Sequence, residues 1–228
     1  MIPTASRHPP GIVAFIGQET ARYHAFTAAW SSVQVPEGCG QAVGLSYDVA
    51  MNSNECIRVM LSDQAFQWVW IMDDDHVFSS ATLLMLLDAN VDLIVPFYAH
   101  RKPPLMPCIY DEETSPDRYR NFTWERLAGV SGVIPVVSAG KAGVLIRRHV
   151  IEKMPEPWFE RLRGGEDHYF FKKTREMGFQ LYCHLGVTLG HITPHIVRIK
   201  HEAGQWNPVV DLGQGFEIDL FPVDQVAG

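Results

Sequence analysis

The chain lacks paired cysteines. Cys39, Cys56, Cys108 and Cys183 lie far apart, with none of the short spacings that hold zinc or run a redox couple. Scattered cysteines in a chain of this size suit reduced thiols and a cytoplasmic setting. No window approaches the ~20 apolar residues of a membrane helix, and residues 1–10 lack the apolar core of a secretory leader. The most apolar stretch, 91–98, is too short to span a bilayer and contains Pro96, so it reads as a buried strand. Positive charge is also in deficit: 19 Lys and Arg stand against 26 Asp and Glu, a formal net charge of −7. That balance removes the electrostatic footprint of a tight nucleic-acid binder. The remaining composition, 46% hydrophobic and 20% charged over 228 residues, suits one globular domain with a substantial core.

Apolar runs and helical patterns alternate along the first hundred residues. Residues 11–17, Gly-Ile-Val-Ala-Phe-Ile-Gly, form an apolar run bounded by glycines, as a buried parallel strand does. Residues 19–30 repeat Ala, Tyr, Phe and Trp at three- and four-residue steps, which predicts a helix. A strand over 42–45, a helix over 55–61 capped by Asn52 or Asn54, and a strand over 68–72 follow. A helix over 81–87 and a strand over 91–97 complete the first half. This alternation predicts an α/β fold with a mostly parallel central sheet and helices on both faces.

In the second half, 111–117 reads as an exposed polar loop, and 133–137 and 144–147 as strands flanking Ser138-Ala139-Gly140-Lys141-Ala142-Gly143. Arg163-Gly164-Gly165 reads as a flexible turn, and 166–177 as a helix stopped by Gly178. Residues 179–183 and 187–189 finish the core. One domain over 1–203 and an irregular C-terminal tail over 204–228 are expected.

Sheets of this kind bind ligands outside the carboxyl ends of their strands. Trp68-Val69-Trp70-Ile71-Met72 stops at such an end, on Asp73, Asp74 and Asp75. Adjacent carboxylates raise one another's pKa, and a divalent cation removes that cost while gaining hard oxygen ligands. Alternate residues at a strand end point the same way, which gives Asp73 and Asp75 one side. The plain alternative is a solvated acidic turn; the aromatic strand before it and His76 after it favour a ligand site.

Residues 68–76 resemble the D-x-D segment of glycosyltransferases with the GT-A fold. Three downstream segments in the right order extend the resemblance. They are residues 137–148, reading V-S-A-G-K-A-G-V-L-I-R-R; Pro157-Trp158-Phe159 followed by Gly165-Glu166-Asp167; and Gly190-His191. The resemblance covers residues 13–191 and leans toward compact family-2-like transferases of bacterial or phage type. It implies a single GT-A (Rossmann-like) domain, a Mn²⁺ or Mg²⁺ cofactor and a nucleotide-diphosphate sugar as donor.

Carried onto this chain, Asp73, Asp75 and His191 hold the metal, and Asp73 and Asp74 meet the nucleotide. Gly140 and Gly143 let a donor sugar approach the backbone. No clear aspartate ends the second strand; Asp48 and Asn52 stand nearest as base-binding candidates. Arg101 is a fixed cation for the diphosphate, or else a surface ion pair. Asp167, with Glu166 as the alternate, is the candidate base that deprotonates an acceptor hydroxyl. Its place at a helix N-terminus favours the ionised form, and a simple cap is the competing reading.

The resemblance implies an acceptor that is a saccharide, or DNA carrying hydroxymethylated bases. Arg118, Arg120, Arg126, Arg147, Arg148, Arg161, Arg163, Lys172, Lys173 and Arg175 all fall in the half that would face it. Two other classes compete. A sugar-phosphate nucleotidyltransferase would carry a glycine-rich basic loop after the first strand, where this chain reads Ile16-Gly17-Gln18-Glu19-Thr20-Ala21-Arg22. A glycan-binding module would explain Trp124, Trp158 and Trp206 but has no need of the acidic strand end.

Overall fold

A computed structural model describes residues 1–4, 7–17, 23–161, 165–202, 205–213 and 215–219. The expected helix start at 19–22, the loop 18–22 and the turn residues Arg163 and Gly164 lie outside these residues, as does 220–228.

Seven strands make the central sheet. They are β1 (Ile12–Ile16), β2 (Gly40–Gly44), β3 (Trp68–Asp73), β4 (Leu93–Phe97), β5 (Val133–Val136), β6 (Val144–Arg147) and β7 (Leu181–Thr188). Their spatial order is β5-β7-β4-β6-β3-β1-β2. β1, β2, β3, β4 and β7 run one way, and only β5 and β6 run against them. The sheet is therefore mostly parallel, as expected. β5 and β6 are not a hairpin pair, because β7 and β4 lie between them.

The period of two along each strand divides the core into halves. Ile12, Ala14, Ile16, Val69 and Ile71 face one apolar cluster, which α2 (Val49–Leu61) and α6 (Glu166–Glu176) cover with Ile57, Met60, Phe170 and Phe171. Val13, Phe15, Trp68, Trp70 and Met72 face the other, where Phe26 of α1 (His24–Ser32) and Leu83, Leu86 and Leu87 of α3 (Thr82–Asp88) pack. Helices on both faces bury the sheet, which is why its central strands are apolar throughout.

Three local expectations fail for identifiable reasons. α2 starts at Val49, because the Asp48 carboxylate accepts from Met51 N at 2.9 Å and caps it. Asn52 and Asn54 sit inside the helix with their side chains spent on tertiary bonds, Asn54 gripping the backbone of Phe159 at both amide atoms. Residues 111–117 are not a loop: Ile109–Ser115 and Arg118–Asn121 form a hairpin, joined by Ser138–Ala139. Cross-strand ion pairs, Arg120 with Asp111 and Glu112, support this polar ribbon. The tail is also more regular than expected, with antiparallel strands Ile196–Glu202, Gln205–Gly213 and Phe216–Asp219. Its apolar residues are too sparse to signal strands, which pair with one another outside the main sheet.

Arg148, grouped above with surface cations, is 6% exposed. Its guanidinium gathers the carbonyls of Met60, Asp63 and Phe66 at 3.2, 2.8 and 3.0 Å, beyond the end of α2, and bonds Glu152 at 2.7 Å. Arg148→Met takes the guanidinium from the carbonyls of Met60 and Phe66, leaves Asp63 O only its bond from Phe66 N, and is expected to cost about 3 kcal/mol. Thermal unfolding should show a fall of roughly 6–12 °C in Tm; an unchanged Tm would remove this role.

Candidate active site

The carboxyl ends of β1, β3 and β4 open onto two adjoining clefts that share Asp73, Asp75 and Arg101 as a common wall. The larger, about 600 Å³, runs past Tyr23, Ser46 and Tyr47. The smaller, about 280 Å³, holds Asp167, His168 and His191.

Asp73 is the last residue of β3 and Asp75 lies just beyond, where the short strand His76–Val77 pairs with Gly190–His191. That pairing sets His191 opposite His76, with the rings stacked at 4.3 Å between centroids. Asp75 binds both: Oδ1 is 2.8 Å from His76 Nδ1, and Oδ2 is 3.3 Å from His191 Nε2. Arg101 Nη1 also reaches Asp75 Oδ2, at 2.9 Å. Burial opposes charge on Asp75, but its contacts with His191 and His76 prevail and hold its carboxyl well below the usual range.

The ligand atoms of Asp75, His76 and His191 all lie within 4.8 Å of one another. His191 Nδ1 sits 3.1 Å from the carbonyl of Ala99, an anchor that turns Nε2 toward Asp75 Oδ2. His76 is 2% exposed, and neither ring nitrogen makes a hydrogen bond, Nδ1 meeting Asp75 Oδ1 by distance alone. A divalent cation would give this buried ring, His191 and the carboxylate a common partner, so the donor set fits a metal.

Asp73, expected among the ligands, stands outside this group. Its Oδ1 is 2.5 Å from Lys141 Nζ, and Lys141 is itself 2% exposed. Lys141 is thus the cation beside Asp73. Asp74 turns to the other side: its N–H donates to Ile16 O at 3.1 Å, and its carboxylate fills the space a Cβ on Gly17 would need.

Asp167 enters from the second residue of α6. Oδ2 accepts from Lys141 N at 3.3 Å, while Oδ1 is closed off from solvent without a partner. Burial, only partly offset by Lys141 and reinforced by Glu166 and Asp73, pushes its pKa up to about 7. The expectation of a readily ionised, weak base at a helix N-terminus is therefore reversed. Desolvation and two like charges outweigh the helix dipole. Glu166 lines the larger cleft instead.

Asp48 is spent as the cap of α2. Asn52 pins the chain at the rim of the larger cleft, accepting from Ser46 N at 2.8 Å and donating to Ser46 O at 2.9 Å. The residue it presents is Tyr47, 96% exposed. Gly140 and Gly143 have internal reasons to be glycine. A Cβ on Gly140 would lie 2.2 Å from Tyr98 Oη, and one on Gly143 would lie 2.7 Å from Pro96 at a φ of +72°.

Lys141, Tyr47 and His168 were not singled out from the sequence, and His76 was noted beside the aspartates but not named as a ligand. His76 and Lys141 lie inside segments already marked, and a lysine within five small or apolar neighbours was the available signal. His168 bonds Ser138 Oγ at 2.6 Å and stacks on Tyr119; burial pushes its pKa down to about 4.

Among the described residues, most basic side chains of the second half are already engaged. Arg120 and Arg126 pair with Asp111, Lys172 and Arg175 with Glu113, and Lys173 and Arg147 bond backbone carbonyls. Trp158 is buried at 3% exposure, which removes it as a glycan platform. Among the described residues no helix is long and apolar enough to cross a membrane.

No protein-family model and no curated protein matches the chain. Solved structures do match. A197 from STIV superposes with a TM-score of 0.55 at 16% identity, over 84% of this chain and 98% of that one. GalNAc-T7, solved with UDP, GalNAc and Mn²⁺, gives 0.53 at 11% identity, over 81% of this chain and 43% of that one. At such identities the likeness establishes the architecture alone: a single Rossmann-like α/β domain of GT-A type.

Proposed function

We propose that the protein is a metal-dependent glycosyltransferase that moves a sugar from a nucleotide-diphosphate sugar to an acceptor hydroxyl. The observation that carries this reading is the Asp75–His76–His191 group, whose ligand atoms gather in the smaller cleft and whose Asp75 also lines the adjoining cleft of about 600 Å³. A neighbour of the same fold that holds UDP, GalNAc and Mn²⁺ supports it.

The charges of the larger cleft point the same way. Asp73, Asp74, Asp75 and Glu166 line it with Arg101 and Lys141, and both cations already face carboxylates. A diphosphate meets net negative charge there unless a divalent ion accompanies it. Bound by Asp75, His76 and His191, such an ion supplies charge neutralisation to the departing diphosphate. Tyr47 and Tyr23 offer exposed rings on which a base stacks, and Arg101 swings from Asp75 to a phosphate oxygen.

Asp167 performs the proton transfer. In a single displacement its carboxylate takes the proton of the acceptor hydroxyl as that oxygen bonds to the anomeric carbon. The bond from that carbon to the diphosphate breaks with its electron pair leaving on oxygen. A pKa near 7 suits a general base at neutral pH. The acceptor read here is a saccharide, a reading favoured by the pairing of Arg120, Arg126, Lys172 and Arg175 with carboxylates.

Two imidazoles and one carboxylate suit Mn²⁺ better than Mg²⁺, which prefers an all-oxygen shell. Titration should show Mn²⁺ binding at least ~10-fold tighter than Mg²⁺. Incubation with UDP- and GDP-sugars and Mn²⁺ should release nucleoside diphosphate; no release from any donor, with or without acceptor sugars, would count against the reading.

A further inference from the structure

We propose that Arg101 is an internal competitor for the metal group. It occupies Asp75 in the free protein, and its transfer to a diphosphate couples metal binding to nucleotide binding. The proposal deepens the metal-dependent transferase reading above and rests on it.

Two groups already meet at one carboxylate oxygen. Asp75 Oδ2 lies 2.9 Å from Arg101 Nη1 and 3.3 Å from His191 Nε2, while Oδ1 faces His76 Nδ1 at 2.8 Å. A divalent ion gathered by Asp75, His76 and His191 thus arrives beside a guanidinium that holds the same carboxylate. Two positive groups at that range repel. A guanidinium does not shed its proton to relieve such repulsion, so it moves away.

The arm is built to let go. The Arg101 side chain is 46% exposed, so its ion pair stands half in water and is weak enough to exchange. Its backbone is held independently of the side chain. His100 N donates to Met106 O at 2.9 Å, and Leu105 N donates to Lys102 O at 3.0 Å. The base of the arm therefore stays in place while the guanidinium changes partner.

Arg101 is also placed to receive the diphosphate, because it lines the larger cleft as well as the smaller one. The other cation of the larger cleft, Lys141, is buried against Asp73 and has no such freedom. A phosphate oxygen that draws Arg101 from Asp75 tightens the metal, and the metal in turn frees Arg101 for the phosphate. Linkage makes the two effects equal.

Calorimetry on wild type and Arg101→Gln tests this, first with Mn²⁺ alone and then with UDP and GDP in saturating Mn²⁺. The variant should bind Mn²⁺ alone about fivefold more tightly than wild type, because the competing charge is gone. It should bind the nucleotide about tenfold more weakly, because the diphosphate loses a charge-assisted partner. Changes of opposite sign are the signature of an exchanged cation. Mn²⁺ affinity that falls or stays the same in Arg101→Gln overturns the inference while leaving the metal group in place, and so does an unchanged nucleotide affinity. If neither protein binds Mn²⁺, the metal reading falls with it; if both bind Mn²⁺ but neither nucleotide, the donor reading does.

Discussion

Asp167→Asn should lower the transfer rate by about 10³-fold while leaving nucleotide affinity within about twofold of wild type. Asparagine keeps the shape and can still accept from Lys141 N, but it cannot take a proton. The residue lines the smaller cleft and not the larger one, so nucleotide contacts are untouched. In wild type the rate should fall as pH drops below about 7, where the carboxylate becomes protonated. A loss shared equally between rate and nucleotide affinity would instead make Asp167 a structural cap.

The same substitution should stabilise the protein, and the pH dependence has a definite sign. Asp167 has a folded-state pKa raised to about 7, above the ordinary carboxylate value. The folded state therefore binds more protons than the unfolded state between those values, and stability falls as pH rises across that window. The cost is absent below the unfolded pKa and full above about pH 7. Asp167→Asn removes it, so the gain in stability should grow by about 2 kcal/mol between pH 5 and pH 8. Unfolding scans at the two pH values read this directly. An equal Tm shift at both would contradict the buried, unpartnered Oδ1.

His191→Ala should weaken Mn²⁺ binding by at least ~100-fold and abolish metal-dependent nucleotide binding. His191 belongs to the two-residue strand Gly190–His191, whose register against His76 depends on backbone pairing, so the fold should survive. The ring's other nitrogen bonds only the Ala99 carbonyl. The arrangement makes the effect specific: without His191, Asp75 keeps Arg101 and His76 as partners. Unchanged metal affinity in this variant would exclude Asp75, His76 and His191 as the binding group.

The sheet was legible because its strands are written in runs such as Ile-Val-Ala-Phe-Ile and Trp-Val-Trp-Ile-Met, where burial on both faces leaves no room for polar residues. Asp75 and His191, both marked in the sequence, lie just past a strand end and in a short paired strand and come together in space. What the sequence hid was the partition of the three aspartates. Asp73 is held by Lys141, 68 residues away, and a linear pattern carries no sign of that pairing. The pKa of Asp167 was misjudged for the same reason. A helix N-terminus is visible in sequence, whereas the burial and the carboxylates that outweigh it are assembled by the fold. Polar strands were missed at 109–115, where ion pairs rather than apolar alternation hold the hairpin.

The most direct measurement is calorimetric titration of UDP and GDP, with and without Mn²⁺, into wild type and Asp75→Ala. Binding that requires Mn²⁺ and vanishes in the variant is the expected result, and it would also name the nucleotide. Nucleotide binding that is indifferent to both the metal and the variant, or no binding under any condition, would contradict a metal-dependent transferase built on Asp75, His76 and His191.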